Sequence, residues 1–424
     1  MTATLAAPAR PPLLRVPDFR RLWIGETTSA LGSSVTSVAL PLVALTTLHA
    51  GVFPVSLLSA AAWLPWLLIG LPAGAWVDRL PRRPVMMACD AASMALFASV
   101  PVAAALDALT MTQLLAVALA SGTAKVFFST AYRAYQPSLL PGERLVEANS
   151  RLQAAESAAQ VGGPGLGGVL AQVFGATNGL LADAASFAVS LACLRRIGAT
   201  ESVPRRPRRS LRAEIAEGLR FVRHDRLLRL LMVFGGTANL VLTGFGAIQV
   251  AFLVRAVGLG PAAVGVLLAF GSIGGVIGAS LAPALGRRFG TARALLLGKV
   301  GSAPAGLLIP LAGPGPRVAL FAAGAFVLIG GIVAGNVISG GFMQAYCPPE
   351  LMGRVTTTMQ VVNFGAIPVG AVVGGVLADA LGYRPALWLL LGGFVLSGAI
   401  LLNSPLRRWR DLPIAASRPA PEAS

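Results

Sequence analysis

Apolar residues run along this chain in long stretches, rather than in the alternation of a strand or the one-sided stripe of a soluble helix. Runs near 21–47, 54–77, 84–106, 111–133, 152–174 and 178–197 precede a charged stretch, and runs near 227–254, 261–285, 292–312, 317–342, 355–379 and 384–403 follow it. A helix crossing the hydrocarbon core needs about 20 mostly apolar residues, and each run supplies them. Glycines and prolines inside the runs are tolerable because neighbouring helices satisfy the freed backbone groups. The pattern predicts an all-α membrane protein with twelve transmembrane helices.

Composition removes the soluble alternatives. Apolar residues make up 55% of the chain and charged residues 12%, against about 25% charged in a soluble domain. The net charge of +17 does not point to nucleic acid, because the arginines sit in short clusters between apolar runs. Twenty-nine of the 34 basic residues fall on the side that holds both termini, eleven of them between Arg195 and Arg229. Only Arg255, Arg317 and Arg384 fall opposite, while Lys125 and Lys299 lie within spans. The positive-inside bias predicts cytoplasmic termini and a multi-pass protein of the plasma membrane. The opening residues lack an apolar stretch, so no cleaved signal peptide is expected. Cys89, Cys193 and Cys347 show no CxxC spacing, and His49 and His224 are far apart, so neither a metal nor a cofactor is expected.

The charged stretch divides the chain into an N-terminal six-helix bundle (1–197), a basic linker (198–226) and a C-terminal bundle with a tail (227–424). Within the linker Leu211, Ile215, Leu219 and Val222 recur at helical spacing among charged residues, which predicts an amphipathic helix on the inner membrane face. The halves repeat. A shift of 207 residues pairs Asp18 with Asp225, Pro141 and Glu143 with Pro348 and Glu350, Gly167–Ala171 with Gly374–Ala378, and Gly175 with Gly382. Two parallel repeats place a substrate path between them.

After span 2 the chain reads Gly74-Ala-Trp-Val-Asp78-Arg79-Leu-Pro-Arg82-Arg83. Gly74 permits close helix approach, and Asp78 suits the positive end of a neighbouring helix. In this position the stretch resembles the motif of the major facilitator superfamily, and the resemblance covers all twelve spans. It implies that Gly74, Asp78, Arg79, Arg82 and Arg83 belong to a cytoplasmic gate. The second-half counterpart keeps Gly286, Arg287 and Arg288 without the acid. In span 5, Gly163-Pro164-Gly165-Leu166-Gly167-Gly168 gives a kinked, closely packing helix. It is similar to the superfamily's antiporter motif, which implicates Gly163, Pro164, Gly167 and Gly168 in export; a looser copy has Pro368, Gly374 and Gly375. Phe19–Trp23, Pro137–Pro141, Ala148-Asn149 and Asp183–Phe187 resemble the branch of drug:proton antiporters that contains macrolide-efflux proteins and the enterobactin exporter.

Ionisable groups in a bilayer are expensive, and each is a functional candidate. Glu26, Asp90, Lys125 and Glu156 fall in the cytoplasmic third of their spans, whereas Asp183 lies about 8 Å from the outer end of span 6. Two readings stand: a charge network that opens with the gate, or a carboxylate that carries a coupled proton. At the midplane the cavity candidates are Thr36, Ser121, Asn239, Phe245, Gln249, Asn336 and Met343, which suit a bulky amphipathic molecule.

These features predict a monomeric secondary exporter of drug-like small molecules, with protons as the coupled ion and the lipid bilayer as its setting. An exporter of one metabolite or siderophore and a non-transporting receptor are the alternatives. No ATP-binding loop or catalytic constellation marks an enzyme.

Overall fold

The computed structural model describes residues 12–77, 79–140, 144–198, 219–347 and 349–413. Within them the chain forms α1 (Pro17–Leu42), α2 (Val52–Val77), α3 (Arg82–Ala105), α4 (Met111–Leu139), α5 (Leu145–Phe174) and α6 (Ala176–Arg195). After the linker come α7 (Arg226–Ala251), α8 (Pro261–Phe289), α9 (Thr291–Leu311), α10 (Val318–Tyr346), α11 (Pro349–Leu381) and α12 (Tyr383–Leu402). Eleven of these are long and apolar enough to cross a membrane. The twelfth long helix, α5, is diluted by Glu147, Arg151 and Glu156 in its first half and by glycines in its second.

Helix is the form that satisfies every backbone group without water, and its interruptions have local causes. A π turn closes α1 at Val43–Thr47, and another closes α7 at Phe252–Ala256. α9 changes from α to π at Leu297–Gly301 and to 3-10 at Ala303–Leu311, where Pro304 and Pro310 remove donors. The one-residue turns α5–α6 and α11–α12 pivot on Gly175 (φ 84°) and Gly382 (φ 85°), a backbone region that strains other residues.

The structure refines the repeat. Met111 of α4 corresponds to Val318 of α10, and Ala176 of α6 to Tyr383 of α12, in the register read from the sequence. The first three helices of each half have slipped two residues from that register, so Pro17 corresponds to Arg226 and Arg82 to Thr291. The pairing of Asp18 with Asp225 is therefore corrected. Asp225 caps α7, its Oδ1 accepting from the amides of Leu227 and Leu228 at 3.0 Å. Asp18 sits inside α1 and accepts from Arg21 at 2.8 Å. Of the linker helix, 211–218 lies outside the described residues; 219–224 is helical, with Val222 buried and Leu219 exposed.

Within the first half α1 packs on α5 and α6, α2 on α4, and α3 on α4 and α6; within the second, α7 packs on α11 and α12, and α8 on α10. The halves meet mainly where α5 lies on α8 and α2 lies on α11. Their close approaches lie at the end opposite the termini and at mid-depth. Gly168 and Gly265 face each other so closely that a Cβ on either stands 2.8 Å from the other's Cα. Gly375 of α11 abuts Ser56 and Phe53 of α2, and Arg255 donates to the Ala50 carbonyl at 2.6 Å. At mid-depth Trp63 and Trp66 of α2 hold Phe364 of α11, with ring centroids 5.7 and 5.4 Å away.

Candidate functional site

Below the tryptophans lies a cavity of about 970 Å³ that reaches the terminus end between α4 and α5, where Arg133, Gln136, Asn149 and Gln153 line it. Its walls come from the six helices of the first half, with Ser272 of α8 closing one side. The volume matches a drug-sized ligand, for which cavities run about 300–1,000 Å³. Aromatic surface comes from Trp63, Trp66, Phe97, Phe128, Tyr132 and Phe187. Charge comes from Glu26, Asp90, Glu156 and Asp183 against Lys125 and, at the mouth, Arg133. The structure thus brings all five intramembrane charges of the first half to one chamber.

These charges are held differently. Lys125 and Glu156 open onto the cavity, and Glu26 is half-buried, within electrostatic reach of Asp90, Glu156 and Lys125. Asp90 and Asp183 are each only 1% exposed. Asp183 is well bonded: Thr36 Oγ1 donates to Oδ2 at 2.6 Å and Ser186 Oγ donates to Oδ1 at 3.1 Å. Asp90 lies beside Ser190 where α3 packs on α6, and its Oδ2 has no hydrogen-bond partner. α1 makes room for these groups by presenting glycine: a Cβ at Gly32 overlaps Ser186 and Asp183, and one at Gly25 stands 3.4 Å from Ser190 Oγ.

Of the cavity candidates, Thr36 and Ser121 line the chamber. The others lie in the second half. Asn239 donates to Asn363 Oδ1 at 3.1 Å. Phe245 is buried, and Gln249 and Met343 are half-buried. Asn336 accepts from Lys299 Nζ at 2.7 Å, and that ammonium lies 5.5 Å from the Phe234 ring centre. None of these five belongs to the chamber's lining.

The family model described as "Transmembrane secretion effector" matches residues 7–424. The chain belongs to that family. It is 32% identical over 413 residues to the multidrug efflux pump Tap of Mycolicibacterium fortuitum, covering 92% of this chain and 96% of the relative. It is 23% identical over 385 residues to macrolide efflux protein A of Streptococcus pyogenes, covering 88% and 92%. Among solved structures, the nucleoside transporter NupG (D323A mutant) superposes with a TM-score of 0.77 at 12% identity, covering 91% of this chain and 99% of that one, which shows the major facilitator fold.

The motifs of this secretion-effector chain take definite places in that fold. Gly74 is unpacked, with no atom within 4 Å of where its Cβ would stand, and Asp78 lies outside the described residues. Arg79 is exposed and Arg82 is buried. Arg83 caps α6 by donating to the carbonyls of Leu194 and Arg195 at 2.8 and 2.7 Å. In the second half Asp411, from the segment after α12, accepts from the Thr291 amide at 2.8 Å, next to Arg287 and Arg288. In α5 the glycines divide their work. Gly163 and Gly167 pack on Ser34 and Val35 of α1, within the half, whereas Gly168 and the Pro164 carbonyl meet Gly265 across the halves. Ser186 and Ser190 were missed from sequence; their signal was the (i, i+3, i+7) spacing from Asp183 on one face of α6.

Proposed function

We propose that the chain is a secondary active exporter of amphipathic small molecules, working by alternating access and driven by inward movement of protons. The observation that carries this reading is the 970 Å³ chamber, aromatic on its walls and rich in carboxylate, reaching the terminus end while the halves meet toward the opposite end. The arginine bias supports a cytoplasmic position for that end in the plasma membrane. On this reading the structure is the inward-open, loading state. A weakly hydrated drug entering from the cytoplasm meets apolar rings for its body and carboxylates for its polar groups.

Closure at the cytoplasmic end involves Gly74, Asp78, Arg79, Arg82 and Arg83, and release follows when Gly168–Gly265 and Arg255–Ala50 separate. The similarity to proteins called multidrug efflux pump and macrolide efflux protein supports a drug as cargo. The test is proton flux in inside-out vesicles, acid-loaded and challenged with macrolides, other amphipathic drugs and siderophores. Drug-induced collapse of the pH gradient, absent from vesicles without the protein, is expected. A response to a siderophore alone makes the chain a single-metabolite exporter, and silence to every compound counts against antiport.

A further inference from the structure

The chamber's two buried carboxylates share one helix face. Asp183, Ser186 and Ser190 follow one another along α6, and Ser190 lies beside Asp90 where α6 packs on α3. All four are nearly inaccessible, Asp90, Asp183 and Ser190 being 1% exposed and Ser186 8%. Asp183 to Ser190 spans about 10 Å along the helix axis. α1 presents glycine beside the two serines, Gly25 at Ser190 and Gly32 at Ser186, while its Thr36 bonds Asp183 at the row's outer end. A carboxylate that only braced the fold would have both oxygens bonded, since buried polar groups normally are. Asp90 Oδ2 is buried, bordering the chamber, and without a partner.

We propose that coupled protons cross the N-terminal half along this α1–α3–α6 seam, bound at Asp183 and Asp90 and relayed between them by the Ser186 and Ser190 hydroxyls. The proposal rests on the antiport reading and assigns its proton path. A proton taken by the Asp183 carboxylate forms an O–H bond, which breaks as Ser186 Oγ accepts the proton and releases its own. The step from Ser186 to Ser190 is about 5–6 Å between Cβ atoms, short enough for one bridging water. Ser190 repeats the exchange, and the proton ends on Asp90 beside the chamber. Each hop forms one O–H bond and breaks one. The titratable groups facing the seam are Glu26 on α1, Lys125 and Tyr132 on α4, Glu156 on α5 and Cys193 on α6, with Cys89 beside Asp90 on α3. Lys125 lines the same chamber as Asp183 and is its nearest cation.

The test uses the full chain in lipid, with two readouts. Infrared difference spectra between alkaline and acidic buffer detect the C=O stretch of protonated carboxyls, and a trapped pH dye follows proton flux driven by erythromycin or tetraphenylphosphonium. Asp90→Asn and Asp183→Asn should each remove a titrating carboxyl band and lower drug-driven flux at least tenfold. Ser190→Ala should shift the Asp90 band and slow flux severalfold, with Ser190→Thr restoring both. Val189→Ala, on the exposed side of α6, controls for folding and should match the parent. If the parent carries flux and both Asn variants keep their bands and their flux, the seam is not the path, although antiport stands. If the parent moves no protons with either drug, the antiport reading and the relay fall together.

Discussion

The two halves of this chain share one helix plan, yet they use their interiors differently. In the first, Asp90 is the ninth residue of α3, buried and with one oxygen unpartnered beside a chamber. In the second, Lys299 is the ninth residue of α9, with its ammonium bonded to Asn336 and near the Phe234 ring. Equivalent backbone positions therefore hold opposite charges with opposite degrees of satisfaction. The other polar groups follow suit: Glu26, Lys125, Glu156 and Asp183 border the chamber, whereas Asn239 and Asn363 bond each other. The lesson is that repetition fixes where a side chain points and leaves free what it does. One half offers open chemistry, and the other offers closed polar pairs.

The glycines give the comparison its mechanical side and the largest expected effect. Gly168 and Gly375 occupy equivalent places in α5 and α11, and both face the opposite half. Overpacking costs about 1–3 kcal/mol, and at Gly168 it falls on the state in which this end is closed. Gly168→Val should thus lower drug export about tenfold to a hundredfold, read as uptake into inside-out vesicles. Gly163, about one turn from the helix middle and facing α1, should instead lower thermal stability when made Val.

The charge pair comes next. Asp90→Asn should lose at least about tenfold in export driven by an imposed pH gradient, equivalent to roughly 1.4 kcal/mol. Lys299→Met, its counterpart, should leave that coupling within about twofold and leave the melting temperature unchanged or raised, because replacing a buried charge with an apolar group is often neutral or stabilising. Equal losses from both would erase the distinction between the halves.

Smaller effects sharpen the account. Thr36→Val removes a donor from the buried Asp183 carboxylate and should cost about 1.5–3 kcal/mol of stability, measured by thermal unfolding in lipid. Arg255→Ala removes the donor to Ala50; at an exposed site about 1 kcal/mol is expected. That loss should move the population toward the state open opposite the termini, read from spin-label distances between Gly51→Cys and Leu259→Cys.

Much of the fold was legible in the sequence. Apolar runs of spanning length marked the helices, and even α5, too diluted to pass on hydropathy, was bounded by its neighbours. The 207-residue repeat was legible through Gly175 and Gly382, because a one-residue turn tolerates little besides glycine. The two-residue slip in the first three helices of each half was not, and it hid the correspondence of Asp90 with Lys299. Of the site, the five charges of the first half were legible because charge is rare in apolar runs. Their partners were not: Thr36 lies 147 residues from Asp183, and nothing local says that Ser186 and Ser190 face Asp90. Asn239 and Asn336 were read as cavity groups because each sits at mid-depth; their bonds to Asn363 and Lys299 come from helices that sequence distance separates.

The central claim is that the acidic chamber of the N-terminal half holds the drug during export. Ser121 lines it with a small side chain whose hydroxyl bonds only its own helix, at Ala118. The most direct measurement is pH-gradient-driven uptake of labelled amphipathic drugs into inside-out vesicles by the parent and by Ser121→Trp, with expression and melting temperature matched. The account predicts accumulation of at least one drug by the parent and its loss when the indole fills the chamber. Equal accumulation by both proteins, or none by the parent, would contradict it.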